Sequence, residues 1–271
     1  MFRTMPKYPM WINFLVIENS VQEVIMSSSR KTIGIVLPSS NTTLERDFQL
    51  VGPANVDISY HSGRMMLVTG ELDKLNAMND DIEMASRQVG TAKVGVIAYG
   101  CTGGSFLNGP GWDKELLRMI TEASGGIPSV ATSSAMVEVL KNHGIKKVSV
   151  ATPYKDPVNA SLRAFLEGYD FDVLNVAGRQ LTVNTEIGSE QPNDIVEFAL
   201  NNFNDEADAM FLSCTNWRAL EAVARVEKQL KKPVFTSNQV TIWAALRTIG
   251  VNEPIHGFGS LLEEIRIPVA A

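Results

Sequence analysis

The sequence predicts an α/β fold of two doubly wound, parallel-sheet lobes related by a pseudo-twofold, with an active site in the cleft between them. Three observations predict it. Short β-branched, apolar segments alternate with helical patterns along the whole chain, which implies parallel sheets covered on both faces. The two cysteines occupy the same place in two similar halves: VGVIAYGCTGGS carries Cys101 and ADAMFLSCTNWR carries Cys214. Upstream of each lies an apolar run ending in proline, IGIVLP at Pro38 and VSVATP at Pro153, so positions 38 and 101 are 63 apart and positions 153 and 214 are 61 apart.

Each element has its own signal. Strands are expected at Thr32–Leu37, Val56–His61, Val94–Tyr99, Ser129–Ala131, Lys147–Ala151, Phe171–Val176, Ala209–Ser213 and Pro233–Thr236. Helices are expected between them at Thr43–Leu50, Leu72–Val89, Asp113–Ser124, Ser133–His143, Pro157–Glu167, Pro192–Asn202, Trp217–Leu230 and Asn238–Ile249. Punctuation agrees: His143-Gly144 ends a helix with a glycine, and Pro157 and Pro192 suit first-turn positions. A length of 271 residues and 29.7 kDa suits a first lobe over 31–145 and a second over 146–271, with the terminal helix exchanged between them. Residues 1–30 read as a poorly ordered extension or an early start; the apolar run from Trp11 to Ile17 falls short of the ~20 residues that span a membrane.

Composition narrows the function. Apolar residues make up 45% of the chain, enough for a substantial core, and the formal charge of −6 without a basic stripe argues against nucleic acid. Two cysteines in different halves make a poor disulfide framework and point to a reducing cytoplasm. No GxGxxG or Walker pattern appears and the three histidines are scattered, so neither a nucleotide cofactor nor a metal is expected. Self-association is common for such enzymes, but no interface can be read from periodicity.

In doubly wound folds, ligands gather beyond the carboxyl ends of the strands. The residues there are small and polar: Pro38-Ser39-Ser40-Asn41-Thr42, Gly100-Cys101-Thr102-Gly103-Gly104-Ser105, Pro153-Tyr154 and Ser213-Cys214-Thr215-Asn216. A free cysteine alone is most often a buried small hydrophobe; two at matched strand ends suggest an acid/base or nucleophile/acid pair. Backbone N–H groups where each strand turns toward a helix would favour the thiolate and hold a carboxylate or an oxyanion. Thr102 and Thr215 read either as hydroxyl donors to that anion or as helix N-caps. Asn41, Tyr154 and Asn184 are candidate neutral clamps for a carboxylate, with Ser39 beside them. Against this, Asn41 suits a turn, Tyr154 a rim aromatic and Asn184 an ordinary loop amide. Arg64 and Arg218 could pair with a substrate carboxylate, although structural salt bridges are the safer reading. Trp112, Trp217 and Trp243 are expected to pack core or lobe interfaces.

Together the motifs VLPSSNTTLE, AYGCTGGS, ATPY, LSCTNWR and TSNQVTIWAALR resemble the maleate cis–trans isomerase branch of the aspartate/glutamate racemase superfamily, from about Ile33 to the C-terminus. The resemblance implies a racemase-like fold and a cofactor-independent enzyme acting on a small carboxylate. Cys101 would add as a thiolate to an alkene carbon, Cys214 would transfer a proton across the cleft, and Asn41, Tyr154 and Asn184 would bind carboxylates. Two departures stand out. Glycine occupies position 103, where serine is frequent in these isomerases, and Val68–Met78, at the expected cleft entrance, is not diagnostic. Racemisation of a 2-substituted acid by the same two thiols, arylmalonate-type decarboxylation with one, and noncatalytic binding of a small acid are the alternatives.

Overall fold

The computed structural model describes residues 30–53 and 55–264, so the expectation for the first 30 residues falls almost wholly outside the described part. All eight expected strands form: β1 (Lys31–Pro38), β2 (Ile58–Met65), β3 (Val96–Tyr99), β4 (Ser129–Ala131), β5 (Lys147–Thr152), β6 (Asp172–Gly178), β7 (Ala209–Leu212) and β8 (Val234–Thr236). They build two four-stranded parallel sheets of orders β2-β1-β3-β4 and β6-β5-β7-β8, the same winding twice. The central strands β3 and β7 read VIAY and AMFL and are buried throughout, as helices on both sheet faces require. β2 is more open, and its ISYHSGRM shows why a strand over residues 56–61 was expected there: the apolar signal fades before pairing stops at Met65.

The helices are α1 (Leu44–Leu50), α2 (Leu72–Met78), α3 (Ile82–Gly90), α4 (Thr102–Phe106), α5 (Trp112–Ala123), α6 (Thr132–Asn142), α7 (Asp156–Glu167), α8 (Asn184–Ser189), α9 (Pro192–Asn201), α10 (Val223–Leu230), α11 (Ser237–Thr248) and α12 (Ser260–Glu263). The single helix expected over 72–89 is instead split by a 3-10 turn at Asn79–Asp81. The buried Asn79 accounts for the break: its Oδ1 accepts from Tyr99 Oη at 2.6 Å and its Nδ2 donates to Gly104 O at 3.2 Å. The stretch expected as one helix over 217–230 opens as a 3-10 turn at Arg218–Glu221 before α10. The short α4, α8 and α12 carry glycine or too few residues to give a periodic signal.

Register carries the architecture to the cleft. Val36 pairs with Tyr99 in the first sheet and Ala151 with Leu212 in the second, so each cysteine lies two residues beyond the same rung. Both loops stand where strand order reverses beside β1 or β5, the switch point at which such sheets bind ligands. α6 ends in a Schellman turn, with Gly144 at φ +66° and Ile145 N–H donating to Leu140 O at 3.0 Å. α11 starts on a capping box between Thr236 and Gln239 and is buried from Ser237 to Leu246. It follows a strand of the second sheet yet lies against β3, β4 and α6 of the first. Its Thr241 Oγ1 meets Thr132 Oγ1 at 2.8 Å and its Arg247 meets Glu138 at 3.1 Å. We propose lobes over 31–145 and 146–271, with this helix crossing between them.

Candidate active site

A small cavity of about 30 Å³ lies in the cleft between the sheets. Both cysteines line it, with Asn41, Thr102, Gly103, Tyr154, Asn184, Thr215 and Asn216, and an apolar wall of Leu67, Leu75, Leu181 and Ile187. Two loops close one rim: Thr69 and Val183 form an antiparallel bridge, Gly70 N–H donates to Thr182 O at 2.8 Å and Asn184 N–H donates to Val68 O at 3.1 Å. Val68–Met78 thus contributes Gly70 and Leu75 to the cavity. A Cβ on Gly103 would lie 3.1 Å from Leu75 Cδ1, so glycine at this position lets α2 close down on the thiol loop.

The thiols have different settings. Cys101 is itself the N-cap of α4, with φ −141° and ψ 108°, and its Sγ accepts from Gly104 N–H at 3.4 Å. Cys214 has φ +157°, at the edge of the range few non-glycine residues occupy, and its Sγ accepts from Asn216 N–H at 3.4 Å. No α-helix starts at Cys214, which corrects the expectation of a helix N-terminus behind each thiol. Burial outweighs these donors. Desolvation pushes Cys101 up to about 12, opposed by the Gly104 N–H and reinforced by Cys214. It pushes Cys214 up to about 11, opposed first by the Asn216 N–H and then by the Tyr154 hydroxyl. Burial thus favours the protonated form of both thiols, against the pull of the loop N–H groups toward the thiolate.

Neither threonine caps a helix. Thr102 is the first residue of α4 rather than its cap, and Thr215 caps no helix. Thr215 Oγ1 donates to Gly100 O at 3.0 Å, and Thr102 Oγ1 donates to Ser237 Oγ at 2.8 Å. A hydroxyl has one proton, so in this arrangement neither donates to a substrate anion. Each instead reaches the opposite lobe.

Of the expected clamps, Asn41 holds its own loop and the lobe contact. Its Oδ1 accepts from Thr43 N–H and Leu44 N–H, both at 2.9 Å, and its Nδ2 donates to Thr215 Oγ1 at 3.2 Å. That leaves one amide proton for a ligand. Asn184, the first residue of α8, donates through Nδ2 to Ser40 Oγ at 2.8 Å, leaving one proton and its Oδ1. Tyr154 is 7% exposed and packs against Phe106 of the other lobe at a centroid distance of 6.4 Å, so it is a cavity residue rather than a rim aromatic. Ser39 does not line the cavity. Its Oγ donates to Leu67 O at 3.2 Å and accepts from Leu67 N–H at 3.1 Å, which ties the β1 loop to the end of β2.

Both arginines are structural. Arg64 Nη1 donates to Ser39 O at 2.8 Å and to Asn41 O at 3.1 Å while the side chain pairs with Glu45. Arg218 pairs with Glu221 at 2.9 Å. Trp217 and Trp243 are fully buried, and Trp112 Nε1 donates to Gly104 O at 2.9 Å. Among the described residues, no charged side chain lines the cavity. Among the described residues, no group of three or more His, Cys, Asp or Glu is placed to hold a metal ion, and no helix is long and apolar enough to cross a membrane.

Residue-level reading missed Asn216 and Ser237, although their motifs were singled out. Asn216 Oδ1 accepts from Thr42 N–H at 2.8 Å, its Nδ2 donates to Asn184 O at 2.5 Å, and its carbonyl accepts from Thr43 Oγ1 at 2.9 Å. One buried amide thus joins both lobes and the second clamp. The signal was its place beside a cysteine already paired by the repeat.

Comparison with known proteins agrees with this geometry. A maleate isomerase of Nocardia farcinica is 29% identical over 241 residues, covering 86% of this chain and 96% of that protein. That of Alcaligenes faecalis is 27% identical over 245 residues, covering 86% and 97%. The solved structure of a cysteine-to-serine mutant of the Nocardia farcinica maleate cis-trans isomerase, with a covalently bound succinylcysteine intermediate, superposes with a TM-score of 0.83 at 26% identity, covering 87% of this chain and 99% of that one. A family model for arylmalonate decarboxylase matches residues 33–262, and the chain belongs to that family.

Proposed function

We propose that this protein is a cofactor-independent isomerase of a small unsaturated dicarboxylate, converting maleate to fumarate. The observation that carries the reading is the presence of two unpaired, buried thiols lining one cavity from opposite lobes. The similar maleate isomerases support it, as does the succinylcysteine intermediate in one of them. Cys101, served by the N–H groups of Gly103 and Gly104, is the nucleophile. Cys101 first loses its proton to solvent; its thiolate then adds to one alkene carbon and the π electrons move onto the adjacent carbon and its carboxylate. Cys214 gives its proton to that carbon, leaving a thioether on Cys101 and a thiolate on Cys214. Rotation about the new single bond follows. Cys214 then takes a proton from the same carbon, the C–S bond breaks, and the trans alkene leaves with both sulfurs as they were before addition.

Asn41 and Asn184 are the carboxylate donors in this reading, and the Tyr154 hydroxyl joins them on turning from Cys214 to the ligand. Neutral donors suit it, because a lysine or arginine in the cavity would bind substrate and transition state alike. Two unpaired thiols suit a reducing cytoplasm, and self-association is expected; light scattering of the purified chain tests the latter. Racemisation of a 2-substituted acid is the second reading, favoured by the same facing thiols. Proton NMR of the protein with maleate in deuterated buffer tests the assignment. Fumarate formed by the wild type and not by Cys101→Ser supports it. Folded protein that forms no fumarate would sink it, and deuterium exchange into chiral 2-substituted acids would then favour racemisation.

A further inference from the structure

Ser237 is the first residue of α11, completely buried, and its hydroxyl oxygen takes two bonds from opposite sides of the cleft. Thr102 Oγ1, on the residue after Cys101, donates to it at 2.8 Å. The backbone N–H of Cys214 donates to it at 3.0 Å. One oxygen atom thus joins the residue following one thiol to the amide of the other. The atom is itself held in place. Thr241 Oγ1 donates to Ser237 O at 2.7 Å and meets Thr132 Oγ1, which bonds to Tyr99 O at 3.1 Å, two residues before Cys101. The capping box of Thr236 and Gln239 fixes the helix start.

We propose that Ser237 is a positioning residue that sets the two thiols in register across the cleft. The inference rests on the two-thiol reaction described above. That reaction needs Cys101 bonded to one carbon while Cys214 exchanges a proton at its neighbour, so an error in relative position falls on the proton step. Binding is affected less, because the side-chain clamps Asn41 and Asn184 bond elsewhere.

Ser237→Ala is expected to lower kcat for maleate by ~10–100-fold with KM within about threefold of wild type, the scale of loss for misplacement of reacting groups by about an ångström. Ser237→Thr, which keeps the hydroxyl, should recover most of that loss. Thr102→Val cuts the bond from the first lobe only, and combining it with Ser237→Ala should cost no more than Ser237→Ala alone. A second readout needs no substrate. Iodoacetamide modification of each thiol, followed by mass spectrometry across pH, should change several-fold for Cys214 in Ser237→Ala and not in Thr102→Val. A folded Ser237→Ala with unchanged kcat and unchanged modification profiles would overturn the proposal, as would a Ser237→Thr no better than Ser237→Ala. Should Ser237→Ala not fold, Ser237→Cys, similar in shape but a weaker acceptor, takes its place with the same expectations. A wild type inactive on maleate would count against the substrate alone, and the modification profiles would still decide the role of Ser237.

Discussion

The two lobes repeat one sheet and one strand order, yet they present their thiols differently. In the first lobe Cys101 caps a short helix in ordinary extended backbone, and the glycines at 103 and 104 leave its sulfur under a backbone donor. In the second lobe Cys214 lies at φ +157° ahead of an irregular turn, with Tyr154 beside it. The threonine after each cysteine crosses the cleft, but Thr215 reaches Gly100 O directly whereas Thr102 reaches Cys214 N–H only through Ser237. The duplicated strands determine where the sulfurs sit. The unrepeated loops give each its own setting: both sulfurs accept from a backbone N–H, and Cys214 has the Tyr154 hydroxyl beside it as well.

Replacing each thiol in turn should break the comparison most sharply. Cys101→Ser is expected to lose activity by ~10³-fold or more, with no adduct on the protein. Cys214→Ser should lose turnover on a similar scale, while Cys101 still adds to substrate and the protein gains the mass of one substrate. Intact-protein mass spectrometry after incubation with maleate reads both. An adduct on Cys101→Ser and none on Cys214→Ser would reverse the assignment of roles.

The pH dependence tests whether both thiols rest protonated. With Cys101 pushed up to about 12 and Cys214 to about 11 by burial, the thiolate fraction of the free protein grows about tenfold per pH unit below those values. The expected result is a kcat/KM that rises by ~100-fold from pH 7 to pH 9, measured with buffers of constant ionic strength. A flat profile would mean that one thiol is already ionised, its donors having overcome desolvation.

Most of this architecture was legible because parallel sheets write themselves as unbroken apolar runs, and all eight were found. The repeat then matched Cys101 with Cys214 and placed both beyond the same rung. Hydrogen-bond direction was not legible. Nothing in CTGG or SCTN says that Thr102 and Thr215 spend their protons across the cleft, because the partners, Ser237 and Gly100, lie 135 and 115 residues away. The broken helix at Asn79 fails for the same reason, its amide being claimed by Tyr99 and Gly104. Of the two strand-end serines, Ser39 is the one expected beside the clamps, yet it is Ser40 that meets Asn184. Which of two adjacent serines meets the second clamp depends on a loop turn that composition does not encode.

The two clamp asparagines sharpen the lobe comparison on a smaller scale. Asn41 serves two backbone N–H groups at the start of α1 and one cross-lobe bond, so Asn41→Ala removes structure together with a ligand donor. It is expected to lower kcat/KM by ~100-fold and to cost about 1–3 kcal/mol of stability, read by steady-state kinetics and urea unfolding. Asn184 makes one side-chain bond, to Ser40. Asn184→Ala should lower kcat/KM by about tenfold, mainly through KM, with a smaller loss of stability. Equal losses of stability would mean that Asn184 closes the rim as much as it holds substrate.

The last contrast concerns a buried carboxylate on α1 with no counterpart on α7. The first helix of the second lobe, α7, buries an amide, Asn159, whereas α1 buries Asp47. Asp47 Oδ2 accepts from Asn238 Nδ2 on α11 at 2.6 Å, while Asp47 Oδ1 and Asn238 Oδ1 have no hydrogen-bond partner. Desolvation pushes Asp47 up to about 7, against the lowering effects of Asn238 and Arg46. The folded protein therefore binds this proton more tightly than the unfolded chain. Its contribution to stability is complete below about pH 4 and is lost as pH rises through 7, by up to about 4 kcal/mol. Asp47→Asn keeps an acceptor for Asn238 and supplies an N–H in place of the acid proton. Thermal unfolding from pH 5 to pH 8 should show the wild type losing stability relative to this variant, with the variant ahead by ~1–3 kcal/mol at pH 8. A variant less stable than wild type at pH 8 would mean that Arg46, 3.7 Å from Asp47 Oδ1, holds the carboxylate charged and that the junction between α1 and α11 is an ion pair.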